Sequence, residues 1–498
     1  MLFEWIKKNK IEFLILLVIL LAAAFLRLYK IEGYMTFLGD EGRDVLVVKR
    51  IIIDHKLTLL GPTASVGGFF LGPFYYYLMI PFLWAFRLNP VGPAVMVALF
   101  GIATVWLVYF TGRKFFDAKT GLLAAGLYAI SPLVITYSHS SWNPNLMPFF
   151  CVLIIWLAWK IVTQDKPRWL FWLGVFFGLA IQLHYLTTFL MVIVGIYLFW
   201  FYRRFKDYFL AIAGFLVGWS PFIFFELRHS FPNFRTLYQF LLYGDETGLV
   251  VKNFAPTIAD VGLRLFNRLV TNNQLILAWL TLILSLSFFF SAWLKSKSSK
   301  SKDFSTYSLL GIWLVIGIFL FGFYQKGIYD YYFGFMFPLP FLLTAFALEK
   351  IAQKRFGSWL AGGLILWLVG VNFKGVPFRY PPNRQLDQTK QIARLILEKA
   401  EGNPFNFALI TGQNSDHAYR YFLEIAGAKP VTIENPQVDP ERKTVTDRLL
   451  VVCEVADCQP LGHPLWEIAG FGRAEIVEQG DVSVHKIYKL KHWEGKDE

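Results

Sequence analysis

Residues 38–44 read LGDEGRD and place Asp40, Glu41, Arg43 and Asp44 within five positions of one another. Carboxylates so grouped can take a proton from a hydroxyl, the work of a general base, or offer hard oxygen ligands to Mg or Mn. They can also simply cap a helix, because GDEGRDVLVVKRIIIDHK turns helical after Gly39 and acids suit a helix N-terminus. Arg43, Lys49 and Arg50 would then be solvated side chains or lipid-headgroup contacts. Further along, other polar residues stand alone in apolar surroundings: His139 and Asn143, His184, Glu226 with Arg228 and His229, and Lys326 with Tyr329 and Asp330. Taken singly, each has an ordinary explanation. His139 and His184 suit the ends of apolar runs, WNPN is a good turn, and Lys326, Tyr329 and Asp330 fit an interfacial belt. Together they leave a question: why do these polar groups gather on one set of connections while the basic clusters gather on the other?

The elements that must position them are set by composition. Of 498 residues, 56% are hydrophobic and only 17% are charged, where a soluble chain carries roughly a quarter charged residues. The apolar residues come in about eleven blocks of span length, near 11–28, 91–111, 120–137, 146–162, 169–183, 186–202, 208–225, 274–294, 306–324, 332–349 and 358–373. The connections alternate. One set carries Lys7, Lys8 and Lys10; Arg113, Lys114 and Lys119; Lys160, Lys166 and Arg168; Arg203, Arg204 and Lys206; Lys295, Lys297, Lys300 and Lys302; and Lys350, Lys354 and Arg355. The other set holds SHSSWNPN and QLHY, which have no Lys or Arg, and YQKGIYDYY, which has only Lys326. By the positive-inside rule the N-terminus is cytoplasmic and LGDEGRD lies outside. The alternation requires GPFYYYLMIPFLWAF, residues 72–86, to be a re-entrant or surface-lying helix, and its Pro73 and Pro81 agree. The first block lacks a small-residue cleavage site and is read as a retained span. The net charge of +13 comes from Lys and Arg between the apolar blocks, which speaks for membrane topology and against nucleic acid.

From about residue 375 the composition becomes that of a soluble domain, opening with the Pro-rich VPFRYPPNRQ. QLDQTKQIARLILEKA has helical periodicity, and NFALIT, RLLVVCEV and VSVHKIYKL read as strands. The expectation is therefore an all-α polytopic membrane domain over 1–374, with a large first outer loop at 29–90, and an extracytoplasmic α/β domain over 375–498. Cys453 and Cys458 would face an oxidising compartment, where a local disulfide is allowed. Cys151, inside a span, reads as a packing residue. No CxxC pair, HExxH or zinc spacing occurs.

An outer first loop with the Asp40-Glu41 pair, the Pro73-x-Tyr75-Tyr76-Tyr77 helix, the Gly112-Arg-Lys-Phe-Phe116 turn and the Asn143-Pro144 pair resemble the GT-C membrane glycosyltransferases. The likeness extends over about residues 1–370 and is nearest the branch of protein O-mannosyltransferases and aminoarabinose transferases. That resemblance implies a cell-membrane, multi-pass enzyme moving a sugar from a polyprenyl-phosphate donor, bound from the membrane plane, to an acceptor lipid, glycan or protein on the outer face, with inversion at the anomeric carbon. It implies Asp40 as general base, with Glu41 beside it. Arg228, His229 and Lys326 become candidates for the donor phosphate, and Arg43, Asp44, Tyr75, His139, Asn143, His184, Tyr329 and Asp330 for sugar or acceptor. Asn143 stands where the family usually has a second carboxylate before proline. Asp40, Glu41 and Asp44 are the candidate ligands should a divalent Mg or Mn take part. A flippase or a polymerase of lipid-linked glycans would share the spans and the outer polar rim; a flippase should also show inverted repeats or midplane charges, and no internal repeat is evident in the sequence.

Overall fold

The computed structural model describes residues 2–64, 67–243, 253–297, 302–324, 327–483 and 485–495. The chain forms two compact units. One comprises Met1–Ile31, Lys56–Ala85 and Gly92–Pro381, the other Glu32–His55, Phe86–Val91 and Pro382–Glu498.

The first unit is helical. Among the described residues five helices are long and apolar enough to cross a membrane: Lys10–Leu28, Val91–Phe115, Asn143–Gln164, Leu275–Lys297 and Asp303–Phe321. Phe205–Gly218 and Ser220–Arg228 make a sixth as a bent pair, 72° apart. Ala118–Ile130, Arg168–Ala180 and Thr187–Phe201 are shorter apolar helices, as is Phe74–Ala85 in the stretch read as re-entrant. Every block expected to span carries a helix, but three are interrupted, each close to a proline. The 120–137 block stops at Ile130 and restarts at Pro132, the 208–225 block breaks at Trp219 before Pro221, and the 332–349 block begins as a 3-10 turn, Asp330–Phe335, and becomes α-helical at Pro338. The ring of proline pushes the residue before it out of the helical region, and Ser131 sits there at φ −64°, ψ 120°. Two helices fall in the stretch left without elements above: Pro232–Tyr243 and Phe254–Leu269. Apolar side chains such as Ile11, Ile276, Trp359 and Leu366 point outward with more than 70% of their surface exposed, a surface suited to lipid and not to water.

Two helices of this unit pack by backbone contact. Gly174 and Gly178 on Arg168–Ala180 face Gly214 and Gly218 on Tyr208–Gly218, each pair four residues apart. A Cβ at Gly174 would lie 2.0 Å from the Ala211 carbonyl oxygen, and one at Gly214 would lie 2.0 Å from that of Phe171. This is the small-residue seam by which helices approach in lipid, where burial of apolar surface supplies no drive. Gln182 closes one end of the seam, its Nε2 donating to the carbonyls of Gly178 and Gly218.

The second unit is built on a four-stranded sheet, order β1-β2-β4-β3, comprising β1 (Asn406–Ile410), β2 (Arg448–Cys453), β3 (Ala474–Val482) and β4 (His485–His492). β1 and β2 run parallel, joined by a crossover that contains the His417–Ile425 helix, while β4 is antiparallel to β2 and β3. Strand alternation divides the core. Phe407, Leu409, Leu450 and Val452 meet Ile392, Ile396 and Leu423 on one face; Ala408, Ile410, Leu449 and Val451 meet Ile433, Ile468 and Phe471 on the other. β3 was not expected from the sequence because AEIVEQGDV, at the sheet edge, is mostly exposed and lacks a buried face. Cys453 and Cys458 form a disulfide.

The segment Glu32–His55 belongs to this second unit and not to the helical one, whereas the sequence reading places it in the outer loop of the membrane domain. Lys49 and Arg50, candidates for headgroup contacts, instead pair with Glu424 at 3.1 and 3.2 Å.

Candidate functional site

The LGDEGRD segment opens the Gly39–Ile53 helix, and its charged side chains divide the work. Glu41 reaches back to accept the Leu38 N–H at 3.0 Å, half of a capping box, and is buried. Arg43 places its guanidinium between the two aspartates: Nη1 is 2.8 Å from Asp40 Oδ1, while Nη2 is 2.8 Å and Nε 2.9 Å from Asp44 Oδ1. Asp44 is completely buried; burial pushes its carboxyl up to about 7 even though Arg43 pulls it down. Asp40 is the outward member, with 53% of its side chain exposed. The capping expected for the pair is thus met by Glu41, which leaves Asp40 facing solvent.

As a cation site the set fits poorly. Arg43 already engages Asp40 and Asp44, Glu41 serves the backbone, and among the described residues no three His, Cys, Asp or Glu side chains group to hold a metal ion.

Sequence reasoning missed what holds this helix. The Gly39 N–H donates to Asn414 Oδ1 at 2.8 Å. A Cβ at Gly39 would fall 2.1 Å from Ser415 Oγ, and one at Gly42 would fall 2.3 Å from the Ala418 nitrogen. The two glycines therefore let the helix backbone lie directly on the start of the His417–Ile425 helix. Asn414 in turn donates to both oxygens of Glu454, at 3.0 and 3.1 Å, and Glu454 also accepts from Thr411 Oγ1 and Tyr419 Oη. His417 shares a 2.7 Å hydrogen bond with Ser415. Burial draws its imidazole below the ordinary value, with Asp416 and Asp40 acting upward and Arg43 and Arg420 downward. The clue in the sequence was the spacing of Gly39 and Gly42 on one helix face, which signals close backbone approach.

The remaining candidates lie in the first unit. Tyr75 is fully buried and hydrogen-bonds Ser141 at 2.8 Å. His139 Nε2 lies 3.1 Å from the Leu26 carbonyl, and Asn143 Nδ2 donates to the Leu183 carbonyl at 2.6 Å; both side chains are buried. His184 Nδ1 accepts the Leu186 N–H at 3.2 Å inside a ring of Tyr185, Tyr331 and Tyr332. Tyr329 is exposed and stacks on Tyr331. Asp330 is held by Arg268 at 2.7 Å and Arg264 at 3.5 Å, with Arg264 also pairing with Asp260. That cluster balances two arginines against two aspartates and braces the Phe254–Leu269 helix to the Asp330 turn. Arg228 and His229 are exposed, His229 stacking on Phe225; Lys326 lies outside the described residues. Glu226 is buried and accepts from the Asn233 and Phe234 backbone and from Asn233 Nδ2, a remote cap for the Pro232–Tyr243 helix. The sequence also gave no warning of Arg27. Buried at the end of Lys10–Leu28, it donates to the Ala23 and Ala129 carbonyls, closing the C-terminal ends of two helices.

The chain has the GT-C membrane glycosyltransferase fold. It superposes on ArnT from Cupriavidus metallidurans bound to undecaprenyl phosphate with a TM-score of 0.62 and 14% identity, over 96% of this chain and 97% of that one. It also superposes on the archaeal oligosaccharyltransferase AglB from Archaeoglobus fulgidus, in complex with an inhibitory peptide and a dolichol-phosphate, with a TM-score of 0.51 and 14% identity over 90% of this chain and 70% of that one. A third likeness is to the Archaeoglobus fulgidus oligosaccharyltransferase in complex with Zn and sulfate, with a TM-score of 0.52 and 13% identity over 88% and 67%. A family model described as dolichyl-phosphate-mannose-protein mannosyltransferase matches residues 72–225. No curated protein matches the chain by sequence.

Proposed function

We propose that the protein is an integral membrane glycosyltransferase that transfers a sugar from a polyprenyl-phosphate donor to a hydroxyl of a lipid, glycan or protein acceptor on the extracytoplasmic face. The observation that carries this reading is the exposed Asp40 carboxylate at the head of the Gly39–Ile53 helix, in a chain whose fold is that of ArnT. In the reaction the acceptor oxygen bonds to the anomeric carbon as the bond from that carbon to the phosphate oxygen breaks, its electron pair leaving with the lipid phosphate. Asp40 takes the acceptor's proton. Arg43, 2.8 Å away, holds the carboxylate in one orientation. Negative charge grows on the departing phosphate, and the exposed Arg228 and His229, with Lys326, are the candidate cations for it, Arg228 offering the planar fork that matches phosphate oxygens. Tyr329, exposed and stacked on Tyr331, offers a ring to the sugar. Arg43 and Asp44 serve as supports of Asp40, while the partners of Tyr75, His139, Asn143, His184 and Asp330 favour shaping the loops over touching substrate. No step is assigned to a metal.

The test is Asp40→Asn, nearly the same shape without the base. With a panel of mannosyl, glucosyl and arabinosyl polyprenyl phosphates as donors, turnover should fall by at least about 10²-fold, with folding unchanged. Wild-type turnover in that variant would refute the assignment. The flippase reading makes a different prediction: lipid-linked sugar would cross sealed vesicles with no new glycosidic bond.

A further inference from the structure

The carboxyl ends of parallel strands are where α/β sheets ordinarily bind ligands, because the loops leaving adjacent strands diverge there and open a crevice. In this sheet β1 and β2 are the parallel pair, and the loops leaving them carry Thr411, Asn414, Ser415 and Glu454. The head of the Gly39–Ile53 helix fills that place: Gly39 meets Asn414 and Ser415, and Gly42 meets His417 and Ala418. One carboxylate organises the crevice. Glu454, the residue after β2 and inside the ring closed by the Cys453–Cys458 disulfide, accepts from Asn414, Thr411 and Tyr419, and its own N–H donates to the Ile410 carbonyl at 2.9 Å.

We propose that the C-terminal domain sets the position of the base: Glu454 fixes Asn414, and Asn414, through the Gly39 N–H, fixes the backbone from which Asp40 projects. Asn414 and Glu454 are positioning residues, and the soluble domain is thereby part of the catalytic frame. The polarity of the relay is defined, since the Asn414 side chain donates to Glu454 through its nitrogen and accepts from Gly39 through its oxygen at the same time.

This inference rests on Asp40 as base, and the experiment separates the two. In the full-length protein Asn414→Ala should lower kcat by about 10–10²-fold, the scale of a reacting group displaced by about 1 Å, with KM within about twofold. Amide exchange across 39–44 should speed up at least tenfold. Asn414→Asp sets two carboxylates against each other and should lose activity, while Glu454→Gln keeps one acceptor oxygen for Asn414 and should lose less. The double variant N414D/E454Q restores an acceptor for Gly39 and a donor opposite it, and should recover most of the lost kcat and protection. Losses that simply add in the double variant would refute the relay, as would an Asn414→Ala variant with wild-type kcat and exchange alongside an inactive Asp40→Asn. An active Asp40→Asn refutes the base assignment instead, whatever the exchange data give.

Discussion

Asp44 lies three residues along the chain from Glu41 and one from Arg43, and unlike Asp40 and Arg43 it is completely buried. Its carboxyl titrates near the ordinary value of 3.8 in the unfolded chain and about 7 in the folded one, burial being the main cause. The folded state therefore holds the proton more tightly than the unfolded state. This group's contribution to stability is fully present below about pH 4 and is lost as pH rises through 7, a change on the order of a few kcal/mol. Measured as thermal midpoints in detergent, the wild type should gain on Asp44→Asn when the pH falls from 8 to 5; a constant gap between the two would show that Asp44 titrates as an exposed acid. At this scale the sequence was partly legible. The acidic cluster and its place at a helix start could be read, because carboxylates, glycines and helical periodicity are local signals. The division of roles could not, since the helix that carries these residues is seated through Gly39 and Gly42 on Ser415, His417 and Ala418, some 375 residues away along the chain.

Among the elements, the seam of Gly174, Gly178, Gly214 and Gly218 makes a strict demand on side-chain size. Gly214→Ala would place a methyl carbon 2.0 Å from a backbone oxygen that cannot rotate away, and separating the helices should cost about 1–3 kcal/mol. Gly195→Ala is the matched control, also in an apolar helix but with open space around the new carbon. A lower melting temperature for Gly214→Ala, with Gly195→Ala unchanged or raised, is expected, and equal effects would count against the seam. Element boundaries were legible wherever apolar length decided them and failed where it did not. Phe254–Leu269 was missed because Arg264 and Arg268 break its apolar run, although those arginines face Asp330. The breaks before Pro132, Pro221 and Pro338 could have been taken from the prolines alone.

At the scale of the whole molecule, ion pairs join the loops that the charge pattern assigns to one side of the membrane. Glu12 meets Arg113 at 2.6 Å, Asp165 meets Arg204, and Lys119 approaches Glu349 at 3.9 Å. The first and third link the N-terminal helix and the end of Pro338–Ala352 to the connection at 113–119, and the second joins the connections at 165 and 204. Single cysteines replacing Arg203 and Tyr380, in a background without the native thiols, should be labelled by an impermeant maleimide from opposite faces of sealed vesicles. Labelling from the same face would overturn the count of crossings. The division of the chain was the least legible feature at this scale, because nothing in the composition of 32–55 marks it as a piece of the second unit.

That division has a consequence for how the protein is made. The helix that bears Asp40 leaves the ribosome early, but Asn414 and Glu454, which seat it, come only after the last apolar helix. Until translation is nearly finished, Asp40 lacks the partners that seat its helix, so under the proposed mechanism a truncated chain threaded into the bilayer would be inert toward a sugar donor.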